Sequence, residues 1–300
     1  MSTAFPSGVD RNSGSAAKVT IRRGIVYATP GGDELRGDFY APAESGPYPI
    51  IIAAPGGGWL ASDPGGLRYW GEFLARNGLA MFAIQYRASA TERTYPDAVC
   101  DVLSAIQFVR ANAGELGGNI DTQRIGLLGS SAGAHVAALA ALAWDAPQFA
   151  NRAPKNAHTD VDVHVKLLAG VYGVYDMFAH WQREIADFSQ ASGRRTECFL
   201  GTAPYSDRQL YFDASPISHV RYATNKLPVF VTYGTADGVV DSGSQSEPFL
   251  RALKQAGHIV RECPVDGAGH FWFSDEGPDE PASFASFLAP HLLRFLKRHI

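Results

Sequence analysis

The stretch Ile125-Gly126-Leu127-Leu128-Gly129-Ser130-Ser131-Ala132-Gly133-Ala134-His135-Val136-Ala137-Ala138-Leu139-Ala140-Ala141-Leu142-Ala143-Trp144 contains no Asp, Glu, Lys or Arg over twenty residues. That length meets the requirement for a membrane span. Three glycines, two serines and a histidine break it instead into an apolar strand (Ile125–Leu128), a sharp turn and an Ala-rich helix (Ala132–Leu142), which describes buried core. The turn, Gly129-Ser130-Ser131-Ala132-Gly133, matches GxSxG. A chance match in a chain of this composition is expected roughly 0.2 times, so the strand before it and the helix after it carry the weight. Small flanking residues suit a strained backbone that other main chain passes closely, and such a turn lifts a serine Oγ above a sheet at a helix N-terminus. Ser131 is the expected nucleophile, against the plainer reading of a glycine-tolerant turn.

Outward from that turn, the chain alternates strands and helices. Short apolar runs that suit strands buried on both faces occur at Ile50–Ala54, Leu79–Tyr86, Leu167–Val171, Val229–Tyr233 and His258–Val265. Helical patterns fall between and after them at about Leu67–Asn77, Asp97–Asn112, Glu247–Ala256 and Ser283–Arg298. An opening hairpin is expected from Val19–Ala28 and Glu34–Tyr40 around Pro30-Gly31-Gly32-Asp33. This order predicts an α/β fold: a mostly parallel central sheet with helices on both faces and ligands at the carboxyl ends of the strands. The aromatic-rich region from about 172 to 226 lacks a clean strand and is expected to be a mainly helical, cap-like insertion. Residues 19–300 then form one domain, and the Ser/Gly/Ala-rich Met1–Lys18 is expected to be a flexible extension without signal-peptide character.

Composition narrows the function classes. With 26 Lys plus Arg against 30 Asp plus Glu, the net charge of −4 and the lack of a dense basic cluster argue against a nucleic-acid or anionic-membrane partner. Cys100, Cys198 and Cys263 form no even framework and no CxxC pair, so reduced thiols and a cytoplasmic location are expected. The 31 glycines exceed the roughly 7% average without any repeat to account for them. Several cluster after strands, where loops would need flexible backbone.

A serine needs a base, and the base an orienting carboxylate. His270 stands in Asp266-Gly267-Ala268-Gly269-His270-Phe271-Trp272 after the last strand; His258 opens a strand, and His291 and His299 fall in the terminal helix. Asp237, in Gly234-Thr235-Ala236-Asp237-Gly238 directly after Val229–Tyr233, is the expected acid, with Asp241 and Asp266 as competitors. Pro55-Gly56-Gly57-Gly58-Trp59 follows the first parallel strand, so the amides of Gly57, Gly58 and Ala132 are expected to form the oxyanion hole. Neither GxGxxG nor GxxxxGK[ST] is present to make that loop a phosphate site. Trp59, Phe271 and Trp272 are the expected substrate-binding residues. The alternation His158-Thr159-Asp160-Val161-Asp162-Val163-His164 could place two His and two Asp on one face as a metal site, but a solvated edge is the expected reading.

Pro55–Trp59, Tyr86-Arg87, Tyr95-Pro96-Asp97, Asp121–Ile125, Gly129–Gly133, Gly234–Asp237 and Gly269-His270 occur in the order of the α/β-hydrolase esterases. Over about residues 19–298 the chain resembles their hormone-sensitive-lipase-like and feruloyl-esterase-like group, and through its Gly-Gly-x-Trp loop it is similar to kynurenine formamidase. The resemblance implies the α/β-hydrolase fold, no cofactor or metal, and hydrolysis through an acyl-enzyme. Three positions depart from the pattern: Pro55 and Tyr233 replace histidines and Ser130 replaces an acidic or bulky residue. The expected function is a serine carboxylesterase for small apolar or aromatic esters. An amidase or formamidase with the same triad is the alternative, and a non-catalytic ligand-binding module a weaker one. The expected partners are a small ester or amide and at most a second copy of the chain.

Overall fold

The computed structural model describes residues 18–44, 46–117, 119–150, 161–186, 194–222 and 227–300. Among them, eight strands form one sheet in the order β1-β2-β4-β3-β5-β6-β7-β8. The strands are β1 (Val19–Ala28), β2 (Leu35–Pro42), β3 (Tyr48–Ala54), β4 (Ala80–Ile84), β5 (Ile120–Ser130), β6 (Leu168–Val171), β7 (Val229–Gly234) and β8 (Val260–Val265). The first two pair antiparallel with each other, and β2 with β4; every later pairing is parallel. This is the α/β-hydrolase fold.

The helices are α1 (Arg68–Arg76), α2 (Asp97–Ala111), α3 (Ala132–Leu142), α4 (Pro147–Ala150), α5 (Met177–Ala186), α6 (Arg195–Leu200), α7 (Arg208–Asp213), α8 (Ser246–Gln255), α9 (Trp272–Asp275) and α10 (Phe284–His299). Period-2 alternation sends successive side chains of the central strands to opposite faces. Ile50, Ile52 and Leu127 join α2, α3 and α8 in one core, whereas Ile51, Ala53 and Leu128 join α1 and α10 in the other. Burying each of these isoleucine and leucine side chains contributes about 1.5–3 kcal/mol, so both faces must be covered for the sheet to persist. The twenty-residue apolar stretch is strand, turn and helix: β5 ends at Ser130 and α3 begins at Ala132. No described helix is long and apolar enough to cross a membrane.

One strand starts earlier than its apolar run. β5 begins at Ile120 rather than Ile125, because Ile120 pairs with Tyr48 and Ile125 with Ile50. The surplus residues Asp121–Arg124 bulge out of the ladder as polar backbone, held by the Arg124–Asp121 ion pair and a bond from the Gln123 N–H to the Asp121 carboxylate. Apolar patterning cannot reveal a first pairing, at Ile120, that a polar bulge separates from the rest of the run.

Between β6 and β7 the described chain carries α5, α6, α7 and a 3-10 turn at Pro216–His219. Residues 1–17, the bulk of the expected extension, lie outside the described residues, as do His158 and Asp160 of the His/Asp alternation. Its remaining pair, Asp162 and His164, hydrogen-bond each other, with Arg110 beside Asp162. Cys100 and Cys263 are buried and Cys198 is half-buried, and none of the three is in a disulfide among the described residues.

Candidate active site

The turn between β5 and α3 explains its own glycines. Ser131 has φ 53° and ψ −123°, a conformation that costs of order 1–3 kcal/mol in a non-glycine residue and persists only when surroundings enforce it. They do so by contact. A Cβ on Gly133 would fall 2.1 Å from the Ala54 carbonyl oxygen, and one on Gly129 would fall 2.4 Å from that of Gly133. The Ser131 N–H donates to the Val171 carbonyl at 2.9 Å, which pins the turn to β6.

Three elements then converge on Ser131. His270, in the loop after β8, places Nε2 3.0 Å from Ser131 Oγ and Nδ1 2.7 Å from Asp237 Oδ2. Both partners of the second bond are almost completely buried. Asp237, just after β7, is oriented in turn by its other oxygen, which accepts from the Val239 and Val240 N–H groups at 2.8 and 2.9 Å. The competing carboxylates have other duties. Asp241 accepts from the Ser244 N–H and Asp266 from the Thr235 hydroxyl. Of the competing histidines, His258 faces the Leu227 carbonyl, and His291 and His299 lie on α10.

The loop after β3 faces the same serine. The position of a Cβ on Gly56 is 3.2 Å from Ser131 Cβ, and Gly57 and Gly58 have φ 144° and 60°. A side chain on Gly57 would lie 2.1 Å from the Ala61 carbonyl. Among the described residues the Gly57 and Gly58 N–H groups have no hydrogen-bond acceptor, and Ala132 opens α3, where first-turn N–H groups have no intrahelical partner. The loop is held from below: Ser130 Oγ accepts from the Gly56 N–H at 3.1 Å, and the Tyr86 hydroxyl donates to the Pro55 carbonyl at 2.9 Å. Ser130 therefore ties this loop to the end of β5.

These groups border a cavity of about 380 Å³ whose walls include Leu60, Leu67, Tyr172, Val239 and Phe271, with Asp63 and Arg195 as charged members. Phe271 thus lies where the sequence places it, at the pocket, half exposed. Trp59 and Trp272 do not line the cavity, a correction with a packing cause. The Trp59 ring is 1% exposed, stacked on Phe199 with centroids 5.0 Å apart, and its Nε1 donates to His135 Nδ1 at 3.2 Å. Trp272 is buried edge-on against Tyr172. An indole buries more apolar area against aromatic neighbours than a pocket wall allows.

Sequence reasoning missed Tyr172, Arg195 and His135. Tyr172 follows β6 at its carboxyl end, with φ 37°, and its ring centroid lies 4.4 Å from that of His270. Its place one residue past the apolar run of the strand beside β5 was a readable signal. Arg195, whose stem crosses Gly58, comes from α6 and had no signal in spacing.

Two buried imidazoles stand beneath the site. Burial lowers His135 to about 4, opposed by its bond to the Ala214 carbonyl, and lowers His180 to about 3, with neighbouring positive groups adding to the effect. An unfolded histidine takes its proton near pH 6.5, whereas these stay neutral in the folded chain. Their contribution is therefore complete above about pH 6.5 and is lost as pH falls towards 4, with partial offset from the raised carboxyls of Asp101 and Glu184. Urea unfolding should show a loss on the order of 2 kcal/mol between about pH 7 and 5. A flat profile would contradict neutral burial of both rings.

The sheet order and the Ser131–His270–Asp237 hydrogen-bond line place the chain in the α/β-hydrolase fold class. More narrowly, the BD-FAE family model matches residues 38–253, and the chain belongs to that family. It is similar to esterase LipC of Mycobacterium tuberculosis (strain ATCC 25618 / H37Rv), 34% identical over 75% of this chain and 53% of LipC, so it spans about half the length of that relative. Among solved structures it resembles esterase Est2 of Thermogutta terrifontis with butyrate bound, at TM-score 0.70 and 27% identity over 94% of each chain. The form of that esterase phosphoramylated by tabun matches at TM-score 0.70 and 26% identity, again over 94% of each chain.

Proposed function

We propose that this protein is a serine carboxylesterase for small apolar or aromatic esters. The observation that carries the reading is the continuous Asp237–His270–Ser131 hydrogen-bond line, ending at a cavity that the Gly57 and Gly58 amides border. In this reading Ser131 Oγ attacks the ester carbonyl while His270 Nε2 takes its proton. The carbonyl π pair moves onto oxygen, where the N–H groups of Gly57, Gly58 and Ala132 receive it. Collapse expels the alkoxide, which takes the proton from His270, and leaves an acyl-Ser131. Water repeats the sequence and releases the acid. Asp237 keeps the His270 Nδ1–H directed away from the serine throughout.

Several features support the ester class. Esterases LipC and Est2 are relatives, Est2 has been captured with butyrate, and its reaction with tabun fits a nucleophilic serine. A cavity of about 380 Å³ with Leu60, Leu67 and Val239 in its walls suits a short acyl chain. The reading is tested with p-nitrophenyl acetate, butyrate and dodecanoate beside the matching p-nitroanilides. The short esters should turn over fastest, the dodecanoate poorly, and the anilides at least about a hundredfold more slowly, because a poorer leaving group needs fuller protonation by His270. Equal rates on ester and anilide would favour the amidase reading, and no turnover of any ester would end this one.

A further inference from the structure

The oxyanion loop poses a physical problem. Gly57, Gly58 and Trp59 are consecutive residues with φ of 144°, 60° and 60°, and the last is a bulky aromatic in a region that L side chains rarely adopt. Such backbone persists only when its surroundings over-determine it. The restraint on Trp59 is visible. Its carbonyl accepts from the Ser89 N–H at 3.0 Å, its ring stacks on Phe199 of α6, and its Nε1 donates to His135 Nδ1.

His135 is well placed for such a restraint. It sits one turn into α3, with its backbone N–H bonded to the Ser131 carbonyl at 3.2 Å. The ring is fully buried, and its Nε2 lies 2.8 Å from the Ala214 carbonyl, in the segment between β6 and β7. Since a neutral imidazole has one N–H, the Nε2–H donates to Ala214 and the bare Nδ1 accepts from Trp59. One ring therefore joins the oxyanion loop, the nucleophile helix and the helical segment above them. A looser loop would move the Gly57 and Gly58 amides relative to Ser131, and donors a fraction of an ångström out of place stabilise an oxyanion poorly.

We propose that His135 is a positioning residue for the oxyanion hole, acting through Trp59 rather than on substrate. It rests on the ester-hydrolase reading above. The acceptor at Nδ1 fixes the indole, the indole fixes the backbone of Trp59 in its left-handed conformation, and that conformation aims the two preceding amides at the reacting carbonyl oxygen. Buried hydrogen bonds of this kind are strong where no water competes, and leaving the indole N–H unsatisfied there is costly.

Two isosteric substitutions separate this role from packing. Asparagine puts its side-chain oxygen near the Nδ1 position and can still accept from Trp59. Glutamine puts its amide nitrogen near the Nε2 position, keeping a donor for Ala214 and losing the acceptor. His135→Gln and Trp59→Phe should each lower kcat by about 10- to 30-fold with KM within about twofold of the parent, a fraction of the 10²–10³ that loss of an oxyanion donor costs. The double variant should be no worse than either single one, since both remove the same bond. His135→Asn should stay within about threefold of the parent. A trifluoromethyl ketone, whose adduct with Ser131 places an oxyanion in the hole, should lose affinity in parallel with kcat/KM across the series.

His135→Gln matching the parent, His135→Asn falling as far as His135→Gln, or ketone affinity unchanged while kcat drops would each overturn the proposal. If a histidine variant fails to fold by circular dichroism, Trp59→Phe alone decides, because it deletes the donor and keeps an aromatic ring against Phe199. These outcomes are separate from failure of the ester-hydrolase reading, which would appear as an inactive parent protein.

Discussion

Replacing Ser131 by alanine should abolish measurable ester hydrolysis while leaving the fold intact. The substitution deletes only Oγ, the atom that His270 Nε2 faces at 3.0 Å. Alanine carries the same Cβ, so the close approach of Gly56 is unchanged, and φ 53° is no worse for alanine than for serine. The N–H bond to Val171 also remains. Removing a triad nucleophile costs about 10⁴- to 10⁶-fold in kcat, the residue being what oxyanion binding alone supplies. Initial rates on p-nitrophenyl butyrate and labelling by a fluorophosphonate should both vanish, with the thermal midpoint within a few degrees of the parent. Hydrolysis surviving at more than about a hundredth of the parental rate would remove Ser131 from the mechanism.

The turn between β5 and α3 was legible because its geometry is local. Gly129, Ser131 and Gly133 are needed by contacts within the turn or with the adjacent β3, so the reason for each glycine travels with the sequence. The sheet was legible for a related reason: parallel strands buried on both faces read as continuous apolar runs, and those of β3, β6 and β7 fall within two residues of their observed ends. Legibility failed where a residue's role depends on what the chain brings back from afar. Trp59 reads as a pocket aromatic because it follows three glycines, yet His135, 76 residues later, and Phe199 on α6 draw its ring into the core. Arg195 joins the cavity only because α6 packs over Gly58. No periodicity encodes either event. The start of β5 was hidden for another reason: the polar bulge Asp121–Arg124 separates Ile120 from the apolar run.

Asp237→Asn carries the second large effect, and the two oxygens of the carboxylate determine it. Oδ1 accepts from the Val239 and Val240 N–H groups, so an asparagine at this position keeps its carbonyl oxygen there and turns its NH₂ towards His270. A donor then faces Nδ1, which sits 2.7 Å from Oδ2 in the parent. The imidazole avoids the clash of two donors by carrying its proton on Nε2, where it points at Ser131 and can no longer accept the serine proton. The array stays in place in the wrong tautomer. A loss of about 10⁴-fold in kcat is expected near neutral pH, with KM and the thermal midpoint little changed. Asp241→Asn is the matched control: Asp241 accepts the Ser244 N–H, so activity should stay within about twofold. Asp237→Asn within tenfold of the parent, or Asp241→Asn as damaging as Asp237→Asn, would show that another group orients His270.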